Sequence, residues 1–264
     1  MPHVARLSIA PVKSLGLLHP DKVDLTEHGV AEDRRFYLID GTGRLIDRLL
    51  IGRLVQVAAW TDPEAKTLRL TFPDGVVVDG PVEAGEAVTT PMYGRSVEGH
   101  VVSGPFAEAL TAFAGREVRL VRTDRPGGSR DHHPATLMSD GSLDRLGQHL
   151  GVGQVDGRRF RMLMELEGGV AHEEDGWIGR RVAIGEAELR ISAPVPRCAI
   201  TTQDPDTGER DLDTLRTIID YRGLSNGTNV DFGVWGEVEV PGVIRLGDEV
   251  RVLGAAAYPN HSNV

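Results

Sequence analysis

Turn-forming residues interrupt this chain so often that long regular elements have no room to form. Glycine occurs 32 times and proline 15 times in 264 residues, and both fall between short apolar stretches. Glycine supplies backbone conformations closed to other residues, and proline cannot donate to a strand ladder, so each one tends to end an element. Between them the first third of the chain alternates apolar and polar positions. Residues 4–12 carry Leu7 and Ile9 on one face, and 33–40 read as a second strand closed by Gly41-Thr42-Gly43. Further strand-like pieces lie at 44–49, 54–60, 67–72, 75–79 and 87–90, with no helix among them. That pattern predicts a β-barrel or sandwich.

Three segments have helical spacing instead. Residues 105–114 place Phe106, Ala109, Leu110 and Phe113 on one face and end at Gly115. Residues 142–150 repeat the pattern with Ser142 as the expected cap, and 211–221 do so with Asp211 as cap. Strands are expected at 117–122, 158–166, 182–184 and 187–191, the last two turning at Gly185. A strand through Cys198 follows, and then 234–240, 243–246 and 248–253. The Pro-, Gly- and charge-rich stretch 123–133 reads as a linker. The expected fold class is therefore mostly β, a β-barrel plus an α+β portion. A first β-barrel domain over 1–122 includes the 105–114 helix, a second with a few short helices covers 131–254, and 255–264 is a flexible tail.

The totals exclude several functions. Lys and Arg number 29 against 39 Asp and Glu, and the net charge of −10 disfavours non-specific binding to nucleic acid or to an anionic membrane. A lone cysteine excludes an internal disulfide, the N-terminal stretch lacks the pattern of a signal peptide, and no apolar run approaches the ~20 residues of a membrane span. A cytoplasmic protein is expected, with no nucleic-acid and no membrane partner.

Few motifs carry chemistry. Gly223-Leu224-Ser225-Asn226-Gly227 matches a nucleophile elbow, but that motif needs a strand before it and a helix after it, and here a helix precedes it. His132-His133 and His172-Glu173-Glu174-Asp175 are better read as solvated loop residues than as metal ligands, because neighbouring residues on a chain chelate poorly. Cys198 sits in Pro196-Arg197-Cys198-Ala199-Ile200-Thr201-Thr202-Gln203-Asp204-Pro205-Asp206-Thr207-Gly208. Arg197 beside it favours a thiolate, yet successive strand residues face opposite ways. Spacing alone leaves a buried core thiol and a functional sulfur equally open.

This cysteine block resembles the signature of the MOSC domain, named for the C-terminus of molybdenum cofactor sulfurase. Pro11-Val12-Lys13-Ser14 and Asp33-Arg34-Arg35-Phe36 resemble the β-barrel domain that precedes MOSC in many relatives. Phe160-Arg161, Ile184-Gly185-Glu186-Ala187-Glu188-Leu189, Tyr221-Arg222, Phe232-Gly233 and Leu246-Gly247-Asp248-Glu249-Val250 follow in the family's order. Within the family the chain resembles the mitochondrial amidoxime-reducing components and their bacterial counterparts. The resemblance implies the molybdenum cofactor, a Mo-molybdopterin, with Cys198 as the metal ligand. It implies Lys13, Ser14, Arg34 and Arg161 as contacts to phosphate and pterin, with Arg197, Thr201 and Trp235 completing the cofactor-binding set. Asp204 and His133 are the candidate acid–base residues beside a catalytic Cys198. The chain departs from the relatives at Leu163, where they carry asparagine, at Pro196, where the amidoxime reducers have serine, and at Trp235, where they have tyrosine.

The implied activity is reduction of N-oxygenated small molecules: hydroxylamines, amidoximes or N-oxides. The chain has no iron–sulfur or flavin motif of its own, so electrons are expected from a separate ferredoxin- or flavin-type reductase. Two other readings stay open: a sulfur carrier working through a Cys198 persulfide, and a non-catalytic protein that binds or carries the cofactor.

Overall fold

The computed structural model describes residues 1–131 and 133–255. Among the described residues, eighteen strands, three α-helices and four short 3-10 turns give a mostly β protein. In chain order the strands are β1 His3–Leu7, β2 Lys22–Thr26, β3 Gly29–Val30, β4 Phe36–Ile39, β5 Leu45–Ile46, β6 Ala58–Thr61, β7 Thr67–Thr71, β8 Val77–Pro81, β9 Glu83–Met92, β10 Arg95–Ser103 and β11 Arg119–Thr123. They continue with β12 Ala135–Ser139, β13 Met164–Glu167, β14 Arg180–Ile184, β15 Ala187–Pro196, β16 Asp231–Val240, β17 Gly242–Arg245 and β18 Val250–Ala255. The helices are α1 Phe106–Ala114, α2 Asp140–Leu150 and α3 Thr214–Arg222.

Seven strands form the largest sheet, in the order β1-β13-β12-β16-β15-β14-β18. Its two ends meet. Val4 N–H donates to the Asp248 carbonyl at 2.9 Å, Gly247 N–H to the Val4 carbonyl at 2.8 Å, and Val250 N–H to the Pro2 carbonyl at 2.8 Å. The sheet thus curls into a barrel and leaves no long edge for another chain. Its core gathers Val4, Leu7 and Ile9 with Leu137, Leu166, Ile184, Leu189 and Ile191, joined by Val23, Leu25 and Ile244 from the small sheet β17-β2-β3. A second core lies under β5-β4-β11-β10-β9, β6-β7-β8 and α1, around Phe36, Leu38, Leu54, Leu70 and Phe106. The two cores do not divide at one point in the sequence, because Val4, Leu7, Ile9, Val23, Leu25 and Val30 pack with residues from Ala135 onward while Val12 and Leu15 join the second core. The helices α2 and α3 cover a third cluster around Met138, Leu146, Phe160, Ile218 and Phe232.

Local chemistry redirects several expected elements. Residues 54–60 and 158–166 do not run straight: 3-10 turns at Gly52–Gln56 and Gly157–Phe160 come first, and strands follow them. The expected strand through Cys198 is a 3-10 turn, Ala199–Thr202. There Thr201 Oγ1 donates to the Cys198 carbonyl at 3.2 Å and Thr202 Oγ1 to the Ala199 carbonyl at 2.7 Å. Such hydroxyl-to-backbone bonds compete with a strand ladder. Ser139 rather than Ser142 caps α2, and Asp213 rather than Asp211 caps α3; Asp211 instead accepts from Arg159. Strand β10 had no expectation attached to it. The expected linker is anchored within the described residues: Ser129 and Arg130 are buried, and Ser129 Oγ donates to the Arg34 carbonyl at 2.6 Å. Ser225 stands in a turn and donates to Asp231, with no helix after it. The expected tail beyond residue 255, like His132, lies outside the described residues.

Candidate functional site

Asp33 organises the site from below. It is 4% exposed and accepts from Arg34 Nη1 at 2.7 Å, Arg130 Nε at 3.1 Å and the Ala10 N–H at 2.8 Å. Burial alone would raise its pKa; Arg34 and Arg130 outweigh this and hold it below the ordinary carboxylate value. Arg34 gives its other nitrogen, Nη2, to the Arg161 carbonyl at 3.0 Å, which ties the loop after β3 to the turn before β13. Burial works against the charge on Arg34, and Asp33 more than restores it, so its pKa is raised.

Lys13 lies beside this pair, buried, with Nζ donating to Asp131 Oδ1 at 2.7 Å and to the Ser129 carbonyl at 3.1 Å. Its ammonium sits 5.1 Å from the centre of the Tyr93 ring. Burial pulls the Lys13 pKa down against Asp131, and Arg34 and Arg161 pull the same way. Four residues here have left-handed backbone: Ser14 at φ 75°, Arg34 at 50°, Tyr93 at 49° and Arg161 at 52°. Each such non-glycine residue costs on the order of 1–3 kcal/mol, and strain of this kind gathers where side chains must be aimed.

Arg161 and Arg48, which share one cavity, have no carboxylate within ion-pair distance among the described residues. Arg161 Nη2 donates to the Leu15 carbonyl at 2.8 Å, and its pKa falls well below the usual value through burial and the nearby charges of Arg48 and Arg34. Arg48, which sequence reasoning missed, is 1% exposed; its Nε donates to Gln203 Oε1 at 2.8 Å while its Nη2 is buried with no partner. Burial brings its pKa down to about 10, and Arg159 adds to the lowering. A buried polar hydrogen left unsatisfied is costly, and a buried charge without a counter-ion costs more. Both arginines line one cavity of about 130 Å³ with His19 and Arg158, walled by Pro205 and Asp206 from the turn after Cys198. Drug-sized ligands need roughly 300 Å³ or more, so this space suits one anionic group.

Cys198 is exposed, at the N-terminus of its 3-10 turn, near enough to Arg48, Tyr93 and Arg197 for electrostatic coupling with each. Gln203 holds the turn in place by a reciprocal bond, its Nε2 donating to the Arg48 carbonyl at 2.9 Å. Cys198, Lys13, Arg34 and Arg161 therefore come together, with Ser14 next to Lys13 in the chain.

The other expected site residues are placed differently. Arg197 spends its guanidinium on the Phe232 carbonyl at 2.6 and 2.8 Å and the Phe160 carbonyl at 3.1 Å, and burial lowers its pKa to about 9. It joins the end of β15 to the start of β16. Thr201 is buried and bonded to Thr214 at 2.8 Å. Asp204 closes its own turn, accepting from the Asp206 and Thr207 N–H groups at 3.0 and 2.8 Å. Burial would raise its pKa, but those donors hold it lower, as suits a fixed carboxylate rather than a proton donor. His133 stacks on Trp235 with ring centres 4.0 Å apart. His172 lies away from these residues, against Tyr221 and Arg222.

The chain is similar to several known proteins. Mitochondrial amidoxime-reducing component 1 of Mus musculus is 27% identical over 95% of this chain and 82% of its own length. The Homo sapiens protein of the same name is 27% identical over 95% and 83%. Molybdenum cofactor sulfurase of Anopheles gambiae is 27% identical over 91% of this chain but only 36% of its own length. The MOSC N-terminal beta barrel domain matches residues 1–115 and the MOSC domain residues 124–251. Lys13, Arg34 and Arg48 fall in the first match and Arg161 and Cys198 in the second, so the site is assembled from both, and the chain belongs to the MOSC-domain family in its two-domain form.

Proposed function

We propose that this protein binds the molybdenum cofactor and reduces N-oxygenated small molecules with electrons from a separate reductase. The observation that carries the proposal is the pair of buried arginines without counter-ions, Arg48 and Arg161, on the same small cavity beside an exposed thiol. The residues present fit the group. A phosphate would satisfy Arg48 Nη2 and neutralise Arg161, with Lys13 and Ser14 as further donors and Arg34 fixing the Arg161 loop. Cys198 would give a soft thiolate to the metal. When bound, the cofactor supplies two-electron redox chemistry at that metal. Reduction of an N–OH group consumes two electrons and two protons and releases water.

The chain's own residues bind and orient. Asp33 keeps Arg34 charged and in place, and Gln203 holds Arg48 and the Cys198 turn in a fixed relation. Strain at Ser14, Arg34 and Arg161 is the cost of directing three neighbouring backbone segments at one point. His133, on Trp235, is the candidate for handling protons, since Asp204 is committed to its turn.

The test is purification from a host that makes the cofactor, followed by assay of molybdenum and released pterin per chain. Wild type is expected to hold close to one of each. Cys198→Ala is expected to lose metal while retaining part of the pterin, and Arg48→Met/Arg161→Ala to lose both. Absence of metal and pterin from wild type would refute the proposal, and cyanide-labile sulfur on Cys198 would favour the sulfur-carrier reading.

A further inference from the structure

A second cavity, of about 510 Å³, is lined by Glu27, His28, Arg95, Arg125, Arg130 and His133, among others. Its size falls within the roughly 300–1,000 Å³ of small-molecule sites. Its charge is unusual for a chain of net charge −10. Arg130 shares the Asp33 carboxylate with Arg34, whereas Arg95 gives Nη1 and Nη2 to the Gly128 and Arg130 carbonyls and has no carboxylate within ion-pair distance among the described residues. The Arg125 guanidinium, exposed, has no hydrogen bond or ion pair among the described residues. Two positive charges thus face a cavity with a single lining carboxylate, Glu27.

The walls are held before any ligand arrives. Thr123 Oγ1 donates to the Arg125 carbonyl at 2.7 Å, Arg95 Nη1 to the Gly128 carbonyl at 2.9 Å, and Ser129 Oγ to the Arg34 carbonyl. The same loop continues to Asp131, which pairs with Lys13, and to His133. The hairpin tip that aims Arg95 at this cavity carries Tyr93 over Lys13. The cavity and the thiol site therefore share a wall.

We infer that this cavity binds the anionic tail of the substrate, so that the protein selects N-oxygenated compounds bearing a carboxylate or phosphate. The inference deepens the proposed function and rests on it for the reaction, though not for the binding. Calorimetry and steady-state kinetics on the cofactor-loaded protein test it, using an aromatic amidoxime with and without a para-carboxylate. The carboxylate compound is expected to bind at least about tenfold more tightly than its neutral parent, a preference that weakens with added salt. Arg125 is exposed, so Arg125→Glu folds normally and is expected to bring the ratio of the two dissociation constants to about one. A para-phosphonate analogue in place of the carboxylate separates the two anion classes. Equal binding of charged and neutral compounds, or a preference that survives Arg125→Glu, would overturn the inference. Arg125-dependent binding without reduction of either compound would support the cavity and sink the reductase reading. Equal reduction of both with no effect of Arg125 would do the reverse.

Discussion

Replacing Arg48 with methionine tests whether the chain holds an uncompensated charge ready for a ligand. Arg48 is 1% exposed, and burial brings its pKa down to about 10. Converted at about 1.36 kcal/mol per decade, the gap from an ordinary guanidinium is about 3 kcal/mol. Its sign opposes folding. The folded pKa lies below the unfolded one, so the penalty is complete at neutral pH and fades only as pH rises through about 10. Methionine occupies similar space without the charge. Against the gain, Gln203 Oε1 loses its 2.8 Å donor, which costs about 1 kcal/mol or somewhat more. The net expectation is a cofactor-free variant about 1–2 kcal/mol more stable than wild type, seen as a rise of a few degrees in Tm. Urea unfolding and thermal scans measure it. The same samples titrated with pyrophosphate should show wild type gaining stability by mass action and the variant gaining little. A variant that melts below wild type, or that responds equally to pyrophosphate, refutes the reasoning.

Other substitutions probe the supports of the site. Asp33→Asn leaves Arg34 and Arg130 without their buried counter-charge, and is expected to cost about 3–5 kcal/mol in urea unfolding. Because the folded pKa of Asp33 is lowered, its contribution is present above pH ~4 and lost as pH falls through the folded value, so the variant's acid limb should flatten. At Arg161, with φ 52°, glycine should exceed alanine in stability by up to about 1 kcal/mol while both lose pyrophosphate binding. His172 is held at a pKa of about 4 by burial and by Arg222, below its unfolded value. Stability should therefore fall as pH drops from about 6.5 to about 4. In His172→Asn, whose side chain tolerates φ 61°, that slope should shrink; an unchanged pH profile would contradict the assignment.

The β character of this chain was legible because alternation and turn residues are local signals. Helix α1 was legible for the same reason, with Gly115 at φ 68° closing it. The Cys198 turn was not. Ala199-Ile200-Thr201-Thr202 has the composition of a strand, and what bends it is the bonding of two threonine hydroxyls back to carbonyls three residues earlier. Lys13, Arg34, Arg161 and Cys198 could be drawn together from a family resemblance, whereas Arg48 could not. It sits in an unremarkable Ile46-Asp47-Arg48-Leu49 stretch, and its partner Gln203 is 155 residues away. Burial of a charge is a tertiary fact, and no local pattern announces it. The buried Ser129 and Arg130 were hidden likewise, inside a stretch whose composition reads as linker.

The pairing of β1 with β13 has a consequence for how the molecule is made. Strand β1 must wait for a partner whose first residue, Met164, is synthesised far later. At ~5–20 residues per second that delay is on the order of ten to thirty seconds on the ribosome. Throughout it Val4, Leu7 and Ile9 have no barrel to enter, while the second core, complete by β11, is already free to form. The barrel therefore closes after translation has passed its last strand, and the nascent chain carries an adhesive leading segment until then.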